Sequence, residues 1–342
     1  MSVQAVVSRC PVATATEYSM KKNRLSEAFS VEGAEFCLLQ SLDPKMHSAH
    51  YTQLYPLVFR EGGNIPPLWA RSQGERCVLL GVSFQKERRG IFVRPDSPIQ
   101  SVADLRGKRL AIPVRPDAVV DFRRITMLHG FYDVLKYYGI SMDEVELVPV
   151  SAENIVSSLK QGTMDTLRSN DDFMTEDFLA VVEGKADAAF ANSIKAVRHN
   201  HTGILREIMT EQDQHDIPNI NNNAVLPLTC TKPFCDEHPE IVVAYLREVI
   251  RSARLAQQNQ EDFINTVCSG VYGATPDEMR EAFDLPYLFA NRIPVLNDKA
   301  FEMLQIEKDF LIANGVIRPE DDYDLHEWAA PEFLEAAMKD KL

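Results

Sequence analysis

Short apolar runs of strand length alternate with helix-length amphipathic segments along most of this 342-residue chain, and that alternation commits it to an α/β architecture. Cys77–Val82 (C-V-L-L-G-V) and Arg89–Arg94 (R-G-I-F-V-R) read as strands. Asp96–Pro113 predicts a loop, a short helix with Ser101 as N-cap, a stop at Gly107 and a new strand. A helix ends over Tyr132–Tyr138 at Gly139, Val145–Val150 is a strand, and a helix capped near Ser151 is expected to follow. Leu179–Phe190 reads as helix, turn at Gly184 and strand, and Ala224–Thr229 as a further strand. In His238–Ala253 the apolar residues Ile241, Val242, Tyr245, Leu246 and Ile250 repeat at the spacing of an amphipathic helix. Helices are also expected around Lys299–Asn314 and Pro331–Lys339, and the N-I-N-N-N run at Asn219–Asn223 reads as a polar loop.

A hydrophobic fraction of 45% and a charged fraction of 25% are those of an ordinary globular chain, long enough for two lobes. The formal net charge of −14 excludes nucleic acid as the default partner, since phosphate binding needs excess Lys and Arg. It leaves room for a small anionic ligand, because a pocket sets its own local potential. No stretch has the length and apolarity of a membrane span, and M-S-V-Q-A-V-V-S-R-C lacks the basic and apolar regions of a secretory signal. The expectation is a cytoplasmic protein, a monomer with no membrane partner, whose six cysteines are free thiols. Cys230 and Cys235 (C-T-K-P-F-C) are read as small buried hydrophobes, and neither they nor His47 and His50 form a metal-ligand pattern, so no metal is expected.

Three short stretches near the start carry chemistry. They are S-R-C-P-V at Ser8–Val12, H-Y-T-Q-L-Y-P at His50–Pro56 and R-E-G-G-N-I-P-P-L at Arg60–Leu68. Cys10 with His50 is a minimal pairing for thiol chemistry, and Arg60 with a backbone amide of the Gly62-Gly63 turn is a minimal oxyanion clamp. Each has a plainer reading: Cys10 and His50 as packed residues, Arg60 as the partner of Glu61, and Gly62-Gly63 as only a tight turn.

The segment from Val93 to Ile112, E-G-K-A-D-A-A-F at Glu183–Phe190 and the strand followed by K-P-F-C-D-E-H-P-E-I-V-V-A-Y-L-R resemble type II periplasmic-binding-protein folds. That resemblance implies two α/β lobes with a ligand cleft between them. Residues 1–95 and 225–342 would form the first lobe and 96–224 the second, with crossovers near Val93–Ser97 and Asn223–Thr229. The front motifs, together with L-L-G-V-S near Leu79, G-I-F-V-R-P-D-S-P-I, D-E-V-E-L-V-P-V-S and W-A-A-P-E-F-L at Trp328–Leu334, resemble the 2′-hydroxybiphenyl-2-sulfinate desulfinase family over nearly the whole chain. The resemblance implies a cofactor-independent hydrolase of carbon–sulfur bonds that releases sulfite from an organosulfinate, expected to be an aryl sulfinate. By motif it assigns Cys10 as nucleophile or proton donor, His50 as the group that orients or deprotonates it, and Arg60 and the Gly63 amide as the sulfinate clamp. The family has Tyr and Gln three and five places after its histidine, and here those places hold Gln53 and Tyr55, which with Gly62 and Trp69 are candidate substrate contacts. Ser83 and Phe84 are candidates for the cleft, whereas Lys86–Arg89 reads as a solvated loop and Arg123-Arg124 as a helix face, with Arg115 unassigned. Two other functions fit the fold: a non-catalytic sulfonate or sulfinate binding protein of the ABC-transporter type, and a decarboxylase with a proton source other than a cysteine.

Overall fold

The chain runs through four strands of one sheet, crosses to a second sheet for five, and returns. The computed structural model describes residues 3–151 and 174–339, so the helix expected after Ser151 lies outside the described residues. The first four strands are β1 (Val3–Ser8), β2 (Ala34–Leu38), β3 (Phe59–Glu61) and β4 (Cys77–Phe84). The next five are β5 (Arg89–Val93), β6 (Arg109–Val114), β7 (Glu146–Ser151), β8 (Ala188–Asn192) and β9 (Arg206–Glu207), and β10 (Val225–Thr231) closes the first sheet. The sheet orders are β2-β1-β3-β10-β4 and β7-β6-β8-β5-β9.

Each sheet is parallel except for the strand that enters it from the other. β1 pairs parallel with β2 and β3, and β6 with β7 and β8. β10 runs antiparallel to β3 and β4, and β5 antiparallel to β8 and β9. The first crossover therefore lies at residues 85–88, not at Val93–Ser97. Arg89–Val93 is ladder-bonded to Asn192–Ala188, so residues 89–95 go with the second sheet rather than the first lobe. The return runs through residues 208–224.

Local signals produced the expected elements. Ser101 caps a short helix at Val102–Leu105 through a reciprocal bond with Asp104, and Gly107 (φ 73°) and Gly184 (φ 72°) take the left-handed turns that precede β6 and β8. The amphipathic segment forms the helix Pro239–Gln258, with Ile241, Tyr245, Leu246 and Val249 buried against Val7 and Phe59 of the first sheet. Tyr245 stacks on Phe59 with ring centroids 4.2 Å apart, which fixes β3. In the second sheet Ile91 and Val93 pack in one core with Phe131, while Phe92 packs in another with Phe178, the alternation of a strand buried on both faces. Cys230 and Cys235 are buried in or beside the first core, as expected of small hydrophobes.

Glu87 pins the first crossover. It is 3% exposed, its Oε1 accepts from Asn192 Nδ2, its backbone carbonyl accepts from Asn219 Nδ2 at 2.8 Å, and its Oε2 has no partner. Burial pushes its carboxyl up to about 7, against hydrogen bonds from Asn192 and Ser193 and the charge of Arg89. A folded-state pKa above the ordinary 4.5 means that the native state holds this proton more tightly. The stabilisation is full below 4.5 and is lost as pH rises through about 7. Glu87→Gln keeps the acceptor and removes the titration. Measured by urea unfolding, its stability relative to wild type should rise by about 3 kcal/mol between the acid side and about pH 8. A difference that does not change with pH would show that folding leaves the Glu87 carboxyl at its ordinary value.

Candidate active site

The register of two parallel strands assembles the site. β1 and β3 are neighbours with Ser8 opposite Arg60, so these two side chains project side by side from one face. Ser8 Oγ lies 2.6 Å from His50 Nδ1 and accepts from Gln40 Nε2 at 3.2 Å, which brings the imidazole to the carboxyl ends of both strands. Two residues beyond Ser8 and Arg60 stand Cys10 and Gly62. A Cβ built on Gly62 would lie 2.5 Å from Cys10 Sγ, so the thiol occupies the space that only glycine leaves open.

Arg60 is 1% exposed. Its Nη1 donates to the Gly63 carbonyl at 2.9 Å, its Nη2 approaches Cys10 Sγ at 3.9 Å, and its Nε has no partner. The plain reading of Arg60 as a partner of Glu61 does not hold. Adjacent strand residues face opposite ways, and Glu61 accepts from the Thr16 N–H and from Ser83 Oγ, both at 2.9 Å. Burial lowers the Arg60 pKa, and the groups that offset it are Cys10, Tyr51 and Cys77, none of them a carboxylate. Burial first, then the charge of Arg60, pushes His50 well below its ordinary 6.5, so the imidazole is neutral at pH 7. The Gly62 N–H is taken by the Pro227 carbonyl at 3.3 Å, which leaves the Gly63 amide as the turn's free donor among the described residues.

These groups open on a cavity of about 910 Å³, its mouth included, between the two sheets. Cys10, His50, Tyr51, Arg60 and Gly63 line the first-sheet side, and Arg115, Phe122, Arg123, Phe178, Asn192 and Lys195 the other. Six candidates, Gly62, Gln53, Tyr55, Trp69, Ser83 and Phe84, are not among its lining residues. Tyr55 is 86% exposed, at the outer end of the loop after His50. Gln53 is buried with φ 54° and faces inward, where its Oε1 accepts from Thr229 Oγ1 at 2.7 Å and its Nε2 donates to the His50 carbonyl at 3.3 Å; it positions the His50 segment. Trp69 packs in the core beneath β4. Ser83 and Phe84 lie within β4, buried away from the cavity, and Ser83 instead anchors Glu61.

Other wall residues were not singled out by sequence reasoning. Arg123, read as part of a solvated helix face, donates to Asp177 at 2.7 Å and Thr175 at 2.6 Å beside the cavity. Arg115 follows β6 directly, and the tendency of ligands to sit at the carboxyl ends of parallel strands was the signal for it. The polar loop Asn219–Asn223 turns inward: Asn222 is 5% exposed, accepts from the Ile65 N–H at 2.9 Å, and leaves a Gly63 Cβ only 2.6 Å of room.

Comparison with known proteins defines a class first. The two-lobed type II periplasmic-binding-protein-like fold is shared with a sulfonate-binding protein, SsuA, from Methylobacillus flagellatus KT, at a TM-score of 0.69 and 15% identity over 98% of this chain and 94% of that one. A family model described as NMT1/THI5 like matches residues 65–170. Within that class the chain is similar along nearly all its length to 2′-hydroxybiphenyl-2-sulfinate desulfinase from Rhodococcus erythropolis. The two are 24% identical over 355 aligned residues, covering 97% of this chain and 92% of the relative. A solved mutant of the desulfinase DSZB in complex with biphenyl-2-sulfinic acid superposes at a TM-score of 0.75, with 20% identity and 99% of each chain covered. The motif resemblance is borne out.

Two outcomes follow from this geometry. Gly62→Ala should leave the melting temperature nearly unchanged while displacing the thiol, slowing reaction of Cys10 with an aromatic disulfide reagent by about tenfold or more; an unaltered rate would show that the turn gives way instead. Because His50 titrates well below 6.5, the chemical shifts of its ring should stay those of the neutral form as pH falls through 6.5. A midpoint at the ordinary value would overturn the burial argument.

Proposed function

We propose that this protein is a cofactor-independent sulfinate desulfinase, a hydrolase that cleaves the carbon–sulfur bond of an aryl sulfinate and releases sulfite. The observation that carries the reading is a buried guanidinium without a carboxylate partner, its Nη2 3.9 Å from a cysteine sulfur. The whole-length similarity to a desulfinase supports it.

In this reading the sulfinate oxygens take the Arg60 fork and the Gly63 amide, donors suited to a two-oxygen anion. Cys10 delivers its S–H proton to the ring carbon as the carbon–sulfur bond breaks. The bonding pair stays with carbon to form the C–H bond, and sulfur leaves as SO₂. Water converts SO₂ to bisulfite and a proton, and that proton returns to the Cys10 thiolate by way of neutral His50. The sum is sulfinate plus water giving arene plus bisulfite, with no redox partner, metal or organic cofactor. All the groups come from one chain, and six free cysteines suit a reducing, cytoplasmic setting.

A binding protein of the same fold would use Arg60 and the amide but has no need of a thiol at the anion. A decarboxylase would need another proton donor. Cys10→Ser should therefore abolish sulfite release from benzenesulfinate while the variant still binds benzenesulfonate by calorimetry; sulfite release at the wild-type rate would remove Cys10 from the reaction. Arg60→Ala should lower kcat/KM by about 10²–10³-fold, the usual loss for a deleted oxyanion donor.

A further inference from the structure

The wall facing Arg60 is also built for an anion. Arg123 and Lys195 lie along it, and no carboxylate lines the cavity among the described residues, although the protein carries a net charge of −14. Arg115 is the sharpest feature. Its side chain is 1% exposed, its Nε donates to Asp121 Oδ1 at 3.0 Å, and its N–H donates to Asp121 Oδ2 at 2.7 Å. Its Nη2 is buried and has no partner. Asp121 already accepts three bonds, since Oδ1 also receives the Arg124 N–H at 3.2 Å. The neighbouring Arg123 raises the local positive potential further.

A pair of stacked rings lies beside this guanidinium. The Arg115 guanidinium lies 4.5 Å from the Phe122 ring centroid, and Phe122 stacks on Tyr51 at 5.8 Å and 17°. The Tyr51 hydroxyl feels the charges of Arg115, Cys10 and Arg60, and Tyr51, Phe122 and both arginines line the same cavity. An aryl ring laid along the stack, with its sulfinate on Arg60, turns its far edge toward Arg115.

We propose that the substrate is a doubly acidic arene, an aryl sulfinate bearing a second, carboxylate-class group on the far side of the ring, and that the free Nη2 of Arg115 receives it. This rests on the desulfinase reading. A hydrocarbon substituent there would bury the same Nη2 with nothing to bond, whereas a carboxylate supplies an acceptor of the right charge.

The test compares para- and meta-carboxybenzenesulfinate with benzenesulfinate in the wild-type enzyme, and para- and meta-sulfobenzoate with benzenesulfonate as calorimetric ligands of Cys10→Ser. A preference of about tenfold or more for one carboxylated isomer is expected, carried by KM rather than kcat and by Kd in the binding arm. Arg115→Gln should reduce that ratio to near one, and Arg115→Lys should restore part of it. Equal KM and Kd values with and without the carboxylate overturn the proposal in the wild-type and Cys10→Ser proteins alone, whether or not the Arg115 variants fold. So does a preference that survives Arg115→Gln. Sulfite from all substrates without preference leaves the desulfinase reading standing. Selective sulfobenzoate binding with no sulfite from any sulfinate leaves the two-ended anion site and removes the reaction.

Discussion

A guanidinium buried without a counter-charge is costly to fold, and the rest of this site is arranged around one. Arg60 is taken out of water with a single carbonyl, that of Gly63, as its close neutral partner and a sulfur at the edge of reach. Charges in such places are normally paired, because desolvation costs several kcal/mol that only a partner returns. Here the nearest carboxylate in sequence is turned to the other side of β3 and tied to Thr16 and Ser83. The core beneath, with Phe59 held by Tyr245, keeps the strand from rotating to relieve the mismatch. An anion entering the cavity would complete an arrangement that folding leaves incomplete.

Much of this was legible in the sequence because it is local. Strand runs, the Ser101 cap and the turns at Gly107 and Gly184 depend on a few neighbouring residues, and each formed where expected. The first crossover was placed too late because Arg89–Val93 is apolar enough for either sheet; only its pairing with β8 decides, and that contact is remote in sequence. Cys10, His50 and Arg60 line one cavity. Gln53 and Tyr55 do not line the cavity because a left-handed residue at Gln53 reverses the chain after the short helix Ala49–Thr52, swinging Tyr55 into solvent. Arg115, Arg123 and Asn222 were missed for one reason: polar residues in loops and at helix starts are usually solvated, and burial is a property of the other lobe's position, which no local pattern encodes.

The fold by itself does not separate catalysis from capture. A sulfonate-binding protein has the same architecture, and an arginine with a few amides suffices to hold an anion. What bears on the choice in this chain is the use made of the space beside Arg60. Gly62 lacks the one carbon that would exclude Cys10, and Gly63 lacks the one that would collide with Asn222. Two consecutive glycines thus admit a thiol from one side and a polar wall from the other. Neither concession helps stability, since glycine costs backbone entropy on folding, and both let reactive or polar groups line the cavity.

Charge accounting extends that reasoning to turnover. In the proposed desulfinase reading, the sulfinate would arrive as an anion on Arg60 and, once water has converted the departing SO₂, bisulfite would leave as an anion too, so the clamp would gain nothing over the whole reaction. A reaction that exchanges one anion for another must favour the transfer itself, by proton delivery at carbon, and must then let both products go. With a second acidic group seated on Arg115, the carbon product would remain held at its far end after the bond to sulfur breaks. Departure of the smaller anion from the Arg60 side would come first, and the arene would follow once the two walls part. The two clamps lie on different sheets, joined by the crossovers at residues 85–88 and 208–224, so a parting of the walls would be the same motion as release.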